Sequence, residues 1–322
     1  MRKTQRSLQC AALTVLITVN ITVAVADVCD CPGFSETEIA GFDSAVILTD
    51  LEKEQSIARN LPWGIPIDSA NANNESTIIQ RHFILDYDAD LNTSVWAAYR
   101  LTSEEVDANQ PGFVARKDCF RNYPAALHPD DTPPLCSDYD NDSYDRGHLV
   151  NSNDMRRSRT ANANSFFLTN MAPQYDVFNQ KIWRTLEDWV NRWARQKGEI
   201  FIITGAVFDE GPNGVPDGVR DPDDETKRND GDGRIAVASQ FYKILLHERD
   251  DGEIETLSIL VPHLRRSYIG DARKPYLQAN ITTMREIEDL TGLIFLPKLV
   301  LEDPEKAAAI KEFRAKKLWP LD

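Results

Sequence analysis

Residues 144–187 read YDRGHLVNSNDMRRSRTANANSFFLTNMAPQYDVFNQKIWRTLE, and this stretch sets how the rest of the chain is read. It opens on Asp145-Arg146-Gly147-His148 and passes through an amide-rich turn containing Asn170, Pro173 and Gln174. A helix is expected to begin near Asn179. Ile182, Leu186, Trp189, Val190 and Trp193 recur at helical spacing and give that helix one apolar face to bury. Asn179 and Glu187 are eight residues apart, about two turns, and so lie on a shared side flanking that face.

The flanking sequence reads mostly as strands. EIFIITGAV, residues 199–207, is a run of apolar and β-branched residues with the signature of a buried strand. Residues 78–85 and 94–101 read as a strand pair across a turn at 86–90. Residues 235–247 and 254–261 read as a second pair around Asp250-Asp251-Gly252. Helices are expected within 35–58, near 283–290 and over 304–316. Strands, then helix, then strands, with no repeat and no domain linker, imply one α+β domain with a central antiparallel sheet flanked by helices.

The first 26 residues fall outside that domain. Arg2, Lys3 and Arg6 precede an apolar run over 10–25, and Ala24-Val25-Ala26 supplies small residues for cleavage, the pattern of a signal peptide. The mature chain, 27–322, is therefore expected to be secreted, extracellular or periplasmic, and free of the membrane. Losing those three cations takes the net charge from −15 to −18. So acidic a surface excludes broad electrostatic adhesion to nucleic acid, and any polyanion site must be a local basic patch. Arg156, Arg157 and Arg159 are candidates for it, or a solvated charged turn. Residues 209–233 form an acidic, glycine-rich insertion, read as a solvated loop in preference to a calcium site because it lacks the closing Glu of an EF-hand.

Four cysteines remain after cleavage: Cys29, Cys31, Cys119 and Cys136. An even number in an exported chain favours two disulfides. Cys29 and Cys31 are too close to pair comfortably with each other. They are expected to reach Cys119 and Cys136, in an order the sequence leaves open, tying an N-terminal extension over 27–60 to the segment before the motif.

The chemistry of the central stretch follows from its residue types. Arginine offers a fixed fork of donors suited to phosphate oxygens. Glycine lets backbone pass close to a neighbour. A neutral histidine can take a proton from water near neutral pH. A lone histidine is more often an ordinary strand residue, but a specified tetrapeptide arises by chance in roughly 0.2% of chains this long, so DRGH shifts the balance. An amide oxygen at Asn179 and a carboxylate at Glu187 could hold a hydrated hard cation, and Mg²⁺ prefers few protein ligands and several waters.

DRGHL, TNMAPQ and FNQ-x-x-W-x-x-LE, followed by EIFIITGAVF, FYKILL and DLTGLIFLP, together resemble the DNA/RNA non-specific endonucleases with a ββα-metal finger. The resemblance covers roughly residues 60–300. It implies a Mg²⁺-dependent nuclease, with Mn²⁺ able to substitute, acting on DNA and RNA and leaving 5′-phosphate ends. It further implies His148 as general base, Asn179 as metal ligand, Glu187 as the acid orienting the metal's waters, and Arg146 on the scissile phosphate. Arg121 resembles a second phosphate-binding arginine, and Asp145, Asn170 and Gln174 resemble residues that support the site. Some members carry an arginine four residues after the helix glutamate, where this chain has Asn191. The oligomeric state, a homodimer included, is left open.

Overall fold

The computed structural model describes residues 28–68, 77–89, 91–124, 134–139, 144–208, 235–266 and 268–321. The expected signal peptide and acidic insertion lie outside these residues. In chain order the strands are β1 (Val28–Asp30), β2 (Ile67–Asp68), β3 (Thr77–Ile79), β4 (Ile84–Asp88), β5 (Thr93–Thr102), β6 (Phe120–Arg121), β7 (Tyr144–His148), β8 (Met171–Tyr175), β9 (Glu199–Val207), β10 (Gln240–Glu248), β11 (Ile254–Pro262), β12 (Ile281–Thr282) and β13 (Leu293–Ile294). The helices are α1 (Glu36–Ser44), α2 (Asp50–Asn60), α3 (Arg159–Asn164), α4 (Arg184–Lys197), α5 (Arg273–Ala279), α6 (Met284–Thr291), α7 (Pro297–Glu302) and α8 (Pro304–Glu312).

Seven strands form one antiparallel sheet in the order β12-β11-β10-β9-β5-β4-β3. Its central strands are apolar on both faces because both are covered. Ile200, Ile202, Phe241 and Leu245 face a core shared with Phe178, Ile182, Leu186 and Trp193. Ile203, Val207, Tyr242 and Ile244 face the opposite core, with Met284, Ile287, Leu299 and Ile310 from the C-terminal helices. Alternation along a strand sends neighbours to opposite sides, so burying both faces leaves few positions polar.

Several local expectations shift. Residues 78–85 are two short strands, β3 and β4, separated by a turn, and Asp86 to Asp88 continue β4 where a turn was expected. Asp86 pairs across the sheet with Trp96, and the register slips between Asp86 and Tyr87. The N-terminal helical region is two helices, each opened by a capping box: Ser35 with Glu38 and Thr49 with Glu52. β1 pairs with β6, and the disulfides join Cys29 to Cys136 and Cys31 to Cys119. Their sequence separations are 107 and 88 residues, so each alone would stabilise the fold by roughly 4–5 kcal/mol in the chain-entropy picture.

Candidate active site

β7 and β8 form an antiparallel hairpin in which Asp145 opposes Gln174, Arg146 opposes Pro173 and His148 opposes Met171. Gly147 is required sterically. A Cβ there would fall 2.3–2.5 Å from the side chain of Gln174, which lies across the strand. Asn170 locks the chain that follows His148: its Oδ1 accepts from the Val150 amide at 2.9 Å, and its Nδ2 donates to Val150 O at 3.0 Å and Ser165 O at 2.8 Å. The far end of β8 is held by His263, whose Nε2 accepts from the Tyr175 amide at 2.8 Å while its Nδ1 bonds Ala238 O at 2.9 Å. His263 therefore joins the hairpin to the sheet.

The helix after β8 begins differently from the expected α-helix. Phe178–Trp183 is a π-helical segment that passes into α4. π-Helical bulges are rare and concentrate at functional sites. Phe178 and Trp183 of this segment join the core with Ile182, and in α4 Leu186, Val190 and Trp193 are buried as expected while Trp189, expected inside, packs against the same core half-buried. The count of two α-turns between Asn179 and Glu187 does not hold through such a segment. What fixes Asn179 is a hydrogen bond, Nδ2 to Asp145 Oδ2 at 2.9 Å, with Gln180 Nε2 donating to the same oxygen at 2.9 Å. With Nδ2 turned to Asp145, Asn179 has its Oδ1 as the atom to offer a cation. Asp145 stands three residues before His148, so the helix start is fastened to the strand that bears the histidine.

His148 is buried, with its ring edge-on to Phe166 at 4.8 Å, and its Nε2 has no hydrogen-bond partner. Burial holds this imidazole well below the usual histidine range, and the charge of Arg116 adds to the effect. It is a neutral base with a free nitrogen. Burial pushes the carboxyl of Glu187 up to about 8, while the charges of Lys243 and Arg116 pull it back. The helix carries Trp183 four residues before Glu187 and Asn191 four residues after it. Lys243 Nζ sits over the Trp183 ring at 4.6 Å and donates to Thr204 Oγ1 at 3.2 Å. Asn191 Nδ2 donates to Asp154 Oδ1 at 3.0 Å, and Asp154 Oδ2 accepts from the Tyr99 hydroxyl at 2.7 Å. A buried polar layer of Lys243, Tyr99 and Asp154 thus underlies the glutamate.

The arginines divide unexpectedly. Arg121 is fully buried and faces no cleft: Nε donates to Asp43 Oδ1 at 2.8 Å, Nη2 to Asn164 Oδ1 at 2.7 Å, and Nη1 to the Cys119 and Ala163 carbonyls. Its guanidinium also stacks on Phe167 at 4.0 Å. With four of its five donors spent and its side chain fully buried, Arg121 fastens the N-terminal helix and does not fit the expected phosphate contact. Arg116, five residues earlier and not singled out in the sequence, is half-exposed beside Asp118 at 2.9 Å, and its charge reaches both His148 and Glu187. Arg146 lies over Phe120 at 5.0 Å. The expected basic run is tied up as well: Arg156 donates to Val114 O at 2.7 Å, and Arg157 and Arg159 pair with Glu105 and Glu38 at 2.5 Å.

Among the described residues no group of three or more His, Cys, Asp or Glu is placed to hold a metal ion. The donors expected from the sequence, the Asn179 amide oxygen and the Glu187 carboxylate, would make a set of another kind, both hard and few. That suits a hydrated Mg²⁺ and not a dehydrated, protein-caged metal.

Comparison with known proteins bears on the fold and the family. The chain is 26% identical to human mitochondrial endonuclease G over 219 residues, 68% of each chain. It is 32% identical to a nuclease of Nostoc sp. over 229 residues, 68% of this chain and 72% of that one. A crystal structure of endonuclease G in complex with its inhibitor EndoGI has the same fold, with a TM-score of 0.61 at 23% identity, covering 76% of this chain and 92% of that one. The pattern of one family, described as DNA/RNA non-specific endonuclease, matches residues 66–301 and so spans the sheet, the hairpin and α4 together. The chain belongs to that family of endonucleases.

Proposed function

We propose that the protein is a secreted, Mg²⁺-dependent endonuclease that hydrolyses phosphodiester bonds in both DNA and RNA without regard to sequence, with the signal at residues 1–26 removed and 27–322 acting as one nuclease domain. The observation that carries this reading is the joint arrangement at the hairpin: His148 presents an unpartnered Nε2 in the strand whose Asp145 holds Asn179. Arg116, charged and close enough to influence both His148 and Glu187, supports one shared cleft.

In the proposed mechanism His148 Nε2 removes a proton from the attacking water, as its neutral state permits. Arg146 and Arg116 draw the phosphodiester in and neutralise its non-bridging oxygens. Asn179 Oδ1 would hold Mg²⁺ directly and Glu187 would orient its water shell, with Mn²⁺ able to substitute. Bound there, the ion would offset charge developing on the phosphoryl and leaving oxygens. Phosphate contacts carry no base information, which accounts for indifference to sequence, and the products expected are 5′-phosphate ends.

Incubation of the purified mature protein with plasmid, single-stranded DNA and RNA, with Mg²⁺ and with EDTA, tests the proposal. Cleavage of all three that stops with EDTA is the expected result. Cleavage of one polymer alone would replace it with a substrate-restricted nuclease, and cleavage persisting in EDTA would overturn the metal assignment.

A further inference from the structure

A chain of net charge −15 repels a polyanion except where cations gather locally, and the arginines next to the motif are spent on internal partners. The gathering lies elsewhere, in the segment after β11. Arg265, Arg266 and Lys274 are exposed, and among the described residues none of them pairs with a carboxylate. Arg265 lies over Tyr175, the last residue of the hairpin, at 5.7 Å. Arg266 lies over Tyr268 at 5.5 Å, and Tyr268 stacks on Tyr276 with ring centroids 3.7 Å apart. Arg273 fixes this segment against the catalytic helix, donating from Nε to Tyr268 O at 3.0 Å and from Nη1 to Thr185 Oγ1 at 3.2 Å.

Beyond Arg273 the segment opens into a groove of about 930 Å³ whose lining includes Trp189, Lys274, Gln278 and Lys316, with Asp271 its single acid. Thr185 and Trp189 each stand two residues from Glu187, and two residues rotate a helix by about 200°, so the groove lies on the outer side of α4. It is therefore separate from the groups assigned to bond cleavage. Cations interleaved with partly exposed aromatic rings are the combination that binds single-stranded nucleic acid: the charges follow the phosphates and the rings accept unstacked bases of any kind.

We propose that Arg265, Arg266 and residues 268–276, with the groove behind α4, form a track that holds a single-stranded polynucleotide beyond the scissile phosphate. The track rests on the nuclease reading for its purpose, though not for its chemistry. Its occupant is a polynucleotide of several nucleotides; a mononucleotide or small diester would engage the cleft alone.

The test is the triple variant Arg266→Glu, Lys274→Glu, Lys316→Glu, all at surface positions outside the cleft. Binding of a fluorescent single-stranded DNA of about 30 nucleotides is followed by anisotropy in EDTA, and hydrolysis of bis(4-nitrophenyl) phosphate is measured in Mg²⁺. The expected result is a Kd weakened at least tenfold and a slope of log K against log salt shallower by about 2, at roughly 0.7 per lost single-strand phosphate contact. Hydrolysis of the small diester should stay at the wild-type rate. An unchanged Kd and slope would overturn the track while leaving the nuclease reading intact. A wild-type protein that cleaves nothing, yet loses binding in the variant, would overturn the nuclease reading and leave the track standing.

Discussion

The two faces of the central sheet bury charge in opposite ways. On the C-terminal helix face, Lys311 Nζ meets Glu288 Oε1 at 2.6 Å, both side chains are buried, and the same oxygen accepts from the Phe295 amide at 2.7 Å. That pair is closed and satisfied. On the hairpin face, among the described residues, Lys243 is equally buried yet its one hydrogen bond is to the Thr204 hydroxyl, the Glu187 carboxyl is pushed up to about 8, and His148 Nε2 has no partner. Leaving groups so exposed to desolvation costs stability, and folds retain such costs where chemistry needs them. Charge buried in direct pairs builds the fold; charge buried without a direct ion pair gathers at the proposed site.

Substitutions on the two faces should therefore fail differently. The largest effect is expected from His148→Ala, which should lower turnover on plasmid by about 10³-fold or more with the melting temperature nearly unchanged. Near-normal Mg²⁺-dependent cleavage would remove His148 as the base. Next, Glu288→Leu leaves Lys311 buried without its partner and should cost about 3–5 kcal/mol in denaturant unfolding, while activity per folded molecule holds. A stable variant would contradict the closed-pair account. Lys243→Met should do the reverse. Lys243 has no carboxylate within ion-pair distance among the described residues, so its loss should cost less stability than that of Glu288, though its charge bears on both Glu187 and Asp154. Cleavage should nonetheless fall by about 10²-fold, read from steady-state kinetics alongside a melt. Full activity would show that Lys243 does not act on Glu187.

The smallest effect is a pH dependence away from the cleft. Burial, with the charges of Arg157, Arg59 and Arg81, lowers His82 from its ordinary value of 6.5 to about 3. The unfolded chain thus takes the proton first, so the stability tied to neutral His82 is whole above about pH 6.5 and drains away as pH falls toward 3. It amounts to on the order of a few kcal/mol. His82→Gln should flatten the acid limb of a melting-temperature profile between pH 7 and 4; an unaltered limb would assign it to other groups.

Much of the site was legible because it is local. DRGH, Asn170, Gln174 and the FNQ segment fall within thirty-odd residues, and a hairpin followed by a helix brings them together with little help from distant sequence. The α+β class was legible for a similar reason, since β9, β10 and β11 announce themselves as apolar runs. Leu186, Val190 and Trp193 were legible because they lie in regular α-helix, where Trp189 packs at the edge of the same core and stays half-buried.

The sequence by itself determined the chemistry on offer: a histidine, an amide and a carboxylate at fixed offsets, and cysteines at 29, 31, 119 and 136. Only the tertiary structure decided which charges meet. It took Arg121 out of reach by closing it over Asp43, brought Arg116 within range of both His148 and Glu187, and set Lys243 of β10 beneath a helix some fifty residues earlier. Residue type and spacing fix what a side chain can do, whereas its partners across the fold, unknown until the layers pack, fix what it is left free to do.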